Sequence, residues 1–529
     1  MRTHDRSDSK NLILAIDCGT QSLRSIIFDV HGATLAAEKK EYRPYSSPQP
    51  GWAEQDAELL WSALVHTTRR LARHHPRLMS NVAAVGVTSQ RDTMICLDHH
   101  GKPLRPAITW LDTRKAVSTF RPGVFERLAF RILGMTASIR KAESDGQVNW
   151  IRQQEPEIWD RTWKYVGVST FLVYRLTGIA ADSVASFVGH IPMDYKHRRW
   201  ASDHSLKGRL FPVEPEKRPA IVEPGETIGA ITSGAGGETG LPAGVPLVAT
   251  GSDKACETLG MGVMDERTAS LSFGTTATVE VATPRYFEPL RFMPAYCAAV
   301  PGLFNPEIEI FRGYWLISWF KNEMGHREIE KAKRTGALPE ELLNDLLDGS
   351  PPGNMGLMLQ PFWGPGLDNP HARGAIVGFG DVHDRSTVYR AIIEGLAYAL
   401  RHGLETLESR GKLKIERVAV SGGASRNDKI CQITADVLGL PLYRAQTYET
   451  SALGAAVVAG VGVGLFHDTA QGVAAMVHRS DEFQPSPAHR ALYDRLYAIY
   501  TRLYPQLEPI YKELQAATNY PAHAGPPIL

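Results

Sequence analysis

Twice along the chain, a run of alternating apolar residues reaches a Gly-Thr pair, turns through small hydroxyl or amide residues, and resumes as a second alternating run. The two stretches are AIDCGTQSLRSIIFD at 15–29 and SLSFGTTATVEVA at 270–282. Such alternation predicts a β-hairpin in each place. Strand-length apolar runs at Val82–Thr88, Met94–Asp98, Pro246–Thr250 and Arg417–Ser421 alternate with helical stretches, the signature of an α/β fold. Glu257–Gly262 predicts a helix leading out of the first half, and the Gly/Pro-rich segments 223–244 and 353–366 predict loops. Ser451–Phe466 (SALGAAVVAGVGVGLF) falls short of a membrane span of about 20 residues and predicts a tightly packed buried helix instead. Near the end, Leu492, Leu496, Tyr500, Leu503, Leu507, Tyr511 and Leu514 recur at spacings of three and four. They form a helical stripe that Pro505 and Pro509 are expected to interrupt.

Composition narrows the function classes. A chain of 529 residues, 43% of them apolar, has material for two large domains or three smaller ones. Its 58 basic and 57 acidic residues nearly cancel, so no overall field draws it to nucleic acid or to an anionic membrane. Cysteines 18, 96, 256, 297 and 431 are odd in number and contain no Cys-x-x-Cys pair, which makes a reducing cytoplasm the simplest compartment. The opening MRTHDRSDSK lacks the apolar core of a signal peptide.

The chemistry gathers at the turns. In the first hairpin Asp17 and Arg24 flank Gly19, Thr20, Gln21 and Ser22; the second turns through Gly274, Thr275 and Thr276. Glycine admits a close ligand, and clustered hydrogen-bond donors suit phosphate oxygens. Two such hairpins 255 residues apart (274 − 19) suggest two related half-molecules facing one nucleotide. Between them, VATGSDKACETLGMGV brings Asp253 to the carboxyl end of a strand, where open α/β sheets bind ligands, although an Asp there also serves as an ordinary N-cap. GWAEQD at 51–56, TSQRDTMICLD at 88–98 and AITWLDTR at 107–114 place Trp52, Arg91, Asp92, Trp110 and Asp112 at element ends. Such aromatic, guanidinium and carboxylate groups suit a polyhydroxylated substrate; singly, each is more often a surface turn or a buried ion pair, and Arg114 reads as structural. VAVSGGASRNDKICQITADVLGLPL at 418–442 reads as strand, glycine turn, helix, strand, without Walker or Rossmann spacing. There Gly422 and Gly423 permit close approach of a flat or phosphorylated ligand beside Asn427, or simply cap the helix.

These motifs, in this order, resemble the FGGY carbohydrate kinases of the actin-like ATPase superfamily over residues 12–470, together with RGAIVGFGDVHDRSTVYRAIIEGLAYAL at 373–400. The resemblance implies two ribonuclease-H-like domains flanking a catalytic cleft. The sugar- or polyol-binding domain is expected at 11–263, the ATP-binding domain at 264–480, and a helical extension at 481–529. It makes Asp253 the general base, with the acceptor bound by Arg91, Asp92, Trp110 and Asp253 itself. ATP is expected at Gly19, Thr20, Gln21, Ser22, Arg24, Gly274, Thr275, Gly313, Gly423 and Asn427, and Mg²⁺ at Asp17, directly or through water. In a loose phosphoryl-transfer transition state an ordinary carboxylate suffices as base, so a raised pKa at Asp253 is not required. Partners are a small-molecule sugar or polyol, no nucleic acid and no membrane; homodimers and homotetramers are familiar in the family.

Departures from the family pattern bear on the substrate. Gln-Arg-Asp-Thr at 90–93 is similar to the Gln-Arg-Glu-Thr of the family's glycerol kinases, favouring a polyol-like pocket. Lys254, a cation beside the nucleophile's seat, suggests different hydroxyl spacing or a negatively charged substrate. Gln147-Val-Asn-Trp150 stands where the family signature has Lys-x-x-Trp, and Tyr314-Trp315 where it has small residues. Two other classes fit parts of the pattern: an ATP-driven switch of the actin or chaperone kind, and a catalytically silent sugar sensor. The first lacks the GWAEQD, Gln-Arg-Asp and AITWLDTR set, and retention of Asp17, Thr20, Asp253 and Thr275 argues against the second.

Overall fold

Both hairpins form, and each seeds a six-stranded sheet. The computed structural model describes residues 10–518 apart from 292, 365–368, 370 and the side chain of Ala137. Nearly all of the opening MRTHDRSDSK, part of the 353–366 loop and the last eleven residues of the 481–529 extension lie outside the described residues.

In the first sheet β1 (Leu12–Cys18), β2 (Ser22–Phe28) and β3 (Thr34–Glu41) run antiparallel. On the other side of β1, β4 (Val82–Ser89) pairs parallel with it, followed by β6 (Pro246–Val248) and the antiparallel edge strand β5 (Thr227–Ala230). The second sheet repeats the scheme. Strands β7 (Thr268–Phe273), β8 (Ala277–Val281) and β9 (Glu307–Ile310) are antiparallel neighbours. Beyond β7 lie the parallel strands β10 (Arg417–Ser421) and β11 (Leu442–Ala445), then the antiparallel edge β12 (Arg479–Phe483). The expected 480/481 division falls inside β12.

Strand β1 shows why the apolar runs are nearly continuous. Leu12, Leu14 and Ile16 pack against α1 (Ala57–His74) and α2 (Val168–Thr177), while Ile13 and Ala15 pack against α3 (Asp253–Gly260) and α6 (Thr450–Gly462). A strand covered on both faces has no polar side to show. The second sheet buries Ala269, Leu271, Phe273, Val418 and Val420 against α4 (Arg385–Gly411) and α5 (Asp428–Leu438).

The stretch expected as a tightly packed helix is α6, and it crosses from the second half onto the first sheet. Glycines set its distance from α3: a Cβ on Gly454 would stand 1.9 Å from the Cys256 carbonyl oxygen, and one on Gly260 1.9 Å from that of Thr450. Replacing Gly454 by Ala is therefore expected to destabilise the protein by about 3 kcal/mol or more, read as a lower denaturant midpoint at unchanged m-value.

Two expectations are corrected. Helix α3 begins at Asp253, four residues earlier than Glu257, because Ser252 caps it by accepting the Ala255 N–H (3.4 Å). The C-terminal stripe is one helix, α7 (Pro487–Thr518), continuous through Pro505 and Pro509. Tertiary contacts override the prolines: Tyr493 donates to Glu394 (2.9 Å), Tyr497 to Glu405 (2.8 Å), and Gln360 donates to the Tyr511 hydroxyl (3.3 Å). Cysteines 18, 96, 256, 297 and 431 are all buried and unpaired, and no helix among the described residues is long and apolar enough to cross a membrane.

Candidate active site

The first hairpin turn is tied to the segments that follow it in sequence. Thr20 donates its hydroxyl to Gln90 Oε1 (2.8 Å) and accepts from Trp110 Nε1 (3.1 Å). Gln90 in turn donates to Gln55 Oε1 (2.7 Å), and Gln55 donates back to the Thr20 carbonyl (3.1 Å). Gly19 closes the turn by donating its N–H to the Ser22 carbonyl (3.0 Å), and the Tyr42 hydroxyl holds the Gly19 carbonyl (2.6 Å). Thus GWAEQD, the Gln-Arg-Asp string and AITWLDTR converge on one corner.

Asp17, the last residue but one of β1, pairs with Arg24 of β2, whose guanidinium lies 3.7 Å from its carboxylate and 3.3 Å from Glu449. Burial, relieved in part by Arg24 and reinforced by Asp253, Glu449 and Glu257, pushes Asp17 up to about 7. Because the folded pKa exceeds the unfolded one, this carboxylate leaves stability intact near pH 4 and erodes it as pH climbs toward 7. Asp17→Asn is expected to stabilise the ligand-free protein by a few kcal/mol at pH 8 and hardly at all at pH 4, seen as a difference in Tm that grows with pH. Among the described residues no cluster of three or more His, Cys, Asp or Glu is arranged to hold a metal. A single buried carboxylate nevertheless fits Mg²⁺, which commonly takes one or two carboxylates and completes its shell with water and phosphate oxygens.

Asp253 is the first residue of α3, and the capping role belongs to Ser252. Its carboxylate accepts the Lys254 N–H (2.8 Å) and faces Arg91 Nε at 3.9 Å. Burial raises its pKa, with Arg91 and Lys254 pulling the other way. Arg91 reaches across to the second sheet: its Nη1 and Nη2 grip Glu307 (2.6 and 2.9 Å), and Nη2 also meets Glu309 at 3.3 Å. Lys254 donates to Glu257 (2.6 Å) and to Ser272 on β7 of the second sheet (2.7 Å). Burial alone would lower its pKa, but Glu257 and Asp253 more than offset that and hold it charged.

In the second half, a Cβ on Gly422 would stand 2.7 Å from the Phe273 carbonyl carbon, so this glycine lets β10 close against the second hairpin. Gly423 beside it faces open space. Asn427 caps α5 by accepting the Ile430 N–H (3.1 Å). Gly313 packs on the hairpin strand, where a Cβ would lie 2.4 Å from Ala277 N, and Tyr314 is turned inward to stack on Phe273 at 4.4 Å. Thr275 is exposed at the hairpin tip with Gly274 half-buried beside it.

A pocket opens beside the first hairpin, its lining including Asp92, Trp110, Arg114, Lys115, Gln147 and His190. Of the four residues expected to bind the acceptor, Asp92 and Trp110 line this pocket, while Arg91 and Asp253 lie together outside its lining. Asp92 adopts a left-handed backbone (φ 47°) and accepts from His190 Nδ1 (2.9 Å) and the His190 N–H (3.2 Å). Burial would lower the His190 pKa, but Asp92 raises it overall. Arg114 is paired with Asp112 (2.7 Å) and Glu54 (2.9 Å) and sandwiched between Trp52 and Trp150, which leaves its Nη1 without a partner. The sequence reading missed His190, Glu307 and Glu309. The EIEI alternation at 307–310 predicts a solvated acidic face, and only Arg91 arriving from the other sheet turns it inward.

Twin sheets of one topology, each presenting a Gly-Thr hairpin, with the half-buried Asp253 carboxylate at the head of α3, suit a protein that handles a phosphorylated nucleotide. The chain matches the family models "FGGY family of carbohydrate kinases, N-terminal domain" over residues 12–260 and "C-terminal domain" over 269–463. It is 30% identical over 492 residues to "Uncharacterized sugar kinase YgcE" of Escherichia coli (strain K12), covering 92% of each chain. It is 26% identical to "Xylulose kinase" of Lactococcus lactis, covering 95% of this chain and 98% of that one. The crystal structure of xylulose kinase from Rhodospirillum rubrum superposes with a TM-score of 0.77 at 25% identity, over 95% of this chain and all of that one. The protein belongs to the FGGY family of carbohydrate kinases, ATP-dependent phosphotransferases acting on sugars or polyols.

Proposed function

We propose that the protein transfers the terminal phosphoryl group of Mg-ATP to a hydroxyl of a small sugar or polyol, with Asp253 as general base. The observation that carries this reading is the Asp253 carboxylate itself. It is half-buried at the start of α3, relieved of capping by Ser252, and faces Arg91 at 3.9 Å. Residues 11–263 take the acceptor, and Arg91, Asp92 and Trp110 orient it so that one hydroxyl meets Asp253 Oδ2. Residues 264–480 take the nucleotide. Gly19, Thr20, Gln21, Ser22 and Arg24 approach its terminal phosphates from one side and Gly274 and Thr275 from the other, while Gly423 and Asn427 contact the adenosine and Gly313 supports that wall. Asp17 would hold Mg²⁺, which when bound neutralises charge on the phosphates. In a loose transition state positioning does most of the work, so the proton passes to Asp253 late. The five unpaired cysteines fit a reducing compartment.

ADP release measured with and without glycerol, erythritol, four- and five-carbon ketoses, pentitols and hexuloses tests the reading. Acceptor-dependent release is expected. Acceptor-independent hydrolysis would indicate an ATP-driven switch instead, and binding without turnover a sugar sensor.

A further inference from the structure

The pocket beside the first hairpin contains two buried polar atoms that nothing in the protein satisfies. One is Gln147 Oε1 and the other Arg114 Nη1. Gln147 is only 7% exposed, and its amide has a forced orientation: Nε2 donates to the Asp92 carbonyl (2.8 Å), a group that can only accept. Its oxygen is therefore the end left without a partner, on a residue that lines the pocket. A buried acceptor without a donor costs about 1–3 kcal/mol, which a bound hydroxyl recovers.

Charge in the lining points the same way. Arg114 is paired with Asp112 and Glu54, Lys115 with Asp145 (2.6 Å), and His190 with Asp92. Each cation of the lining already has its carboxylate, and Lys254, the one extra cation suggested by the sequence, is taken by Glu257. A substrate carboxylate or phosphate entering here would find its counter-charges engaged and would place an anion against an amide oxygen. A hydroxyl donates and accepts at once, matching one unpaired acceptor and one unpaired donor.

Resting on the kinase reading above, we propose that Gln147 sets the substrate class. Its Oε1 accepts a hydrogen bond from a hydroxyl of the acceptor while Arg114 Nη1 donates to an oxygen of the same molecule, so the enzyme takes neutral polyols or ketoses and rejects sugar acids and sugar phosphates.

The test has two arms. In the wild type, kcat/KM is compared between neutral polyols or ketoses and the aldonates and phosphorylated sugars of the same carbon number, with a preference of roughly 100-fold or more for the neutral members expected. In Gln147→Met, which keeps the volume and loses the acceptor, KM for the best neutral substrate should rise about tenfold or more, with KM for ATP unchanged. A preference for acids or sugar phosphates, or an unchanged acceptor KM in a folded Gln147→Met, overturns the proposal while leaving the kinase reading intact. If no acceptor of any class stimulates ADP release, the kinase reading fails and this inference with it. Should Gln147→Met not fold, the wild-type comparison decides alone.

Discussion

Replacing Asp253 by Asn lowers kcat by at least about 100-fold and leaves ATP affinity nearly intact, the range in which a positioned general base contributes. Asn fills the same volume at the start of α3, and the helix keeps its Ser252 cap, so the fold is not at issue. What changes is that an amide can take no proton and turns N–H groups toward Arg91, which wants an anion. The nucleotide contacts are expected on the two hairpins and the β10 turn, none of which touches residue 253. Wild-type turnover in the variant would remove Asp253 from the mechanism. A second readout follows from its electrostatics. Burial raises the Asp253 pKa, and the carboxylate must be ionised to accept a proton, so kcat/KM falls as pH drops through that raised value. The acid limb should lie above the ordinary carboxylate value of 3.8, and Arg91→Ala, which removes a lowering influence, should move it higher still.

The sequence carried the doubled architecture because both hairpins are local. Their alternation, Gly-Thr turns and strand lengths are set by residues a few positions apart, and the parallel strands are apolar on both faces for the packing seen around β1. Local cues also placed Thr20, Gln90, Gln55 and Trp110 at element ends. Their joining into one hydrogen-bonded corner needed the fold. Where the reading failed, long-range contacts had decided. The prolines of α7 are carried by tyrosines anchored on the second domain. His190 has no signal in sequence at all, since a lone histidine after a loop acquires meaning only when Asp92, 98 positions earlier, lies beside its ring.

The Arg91–Glu307 pair tests whether the two halves act as one site. Glu307→Gln is expected to cost about 3–5 kcal/mol of stability, because it strips a buried guanidinium of its bidentate partner. It should also cut kcat by roughly tenfold to 100-fold. Arg91 would retain only Glu309 at 3.3 Å and Asp253 at 3.9 Å, so it is drawn onto the general base. That draw lowers the basicity of Asp253 and narrows the space for the acceptor hydroxyl; the acid limb of kcat/KM should move down even as kcat falls. Glu309→Gln makes the control. Burial and the adjoining Glu307 push Glu309 up to about 7, so it is a weaker partner at neutral pH, and its loss should cost far less in both stability and rate. A double-mutant cycle on Arg91→Ala and Glu307→Ala isolates the bridge itself, with a coupling of about 1–3 kcal/mol expected in stability. Additive effects would mean that Arg91 serves the acceptor from the first domain alone. Coupling in both stability and kcat would mean that an acid on the second sheet positions a guanidinium of the first, so that the base in the cleft is tuned from both sides of it.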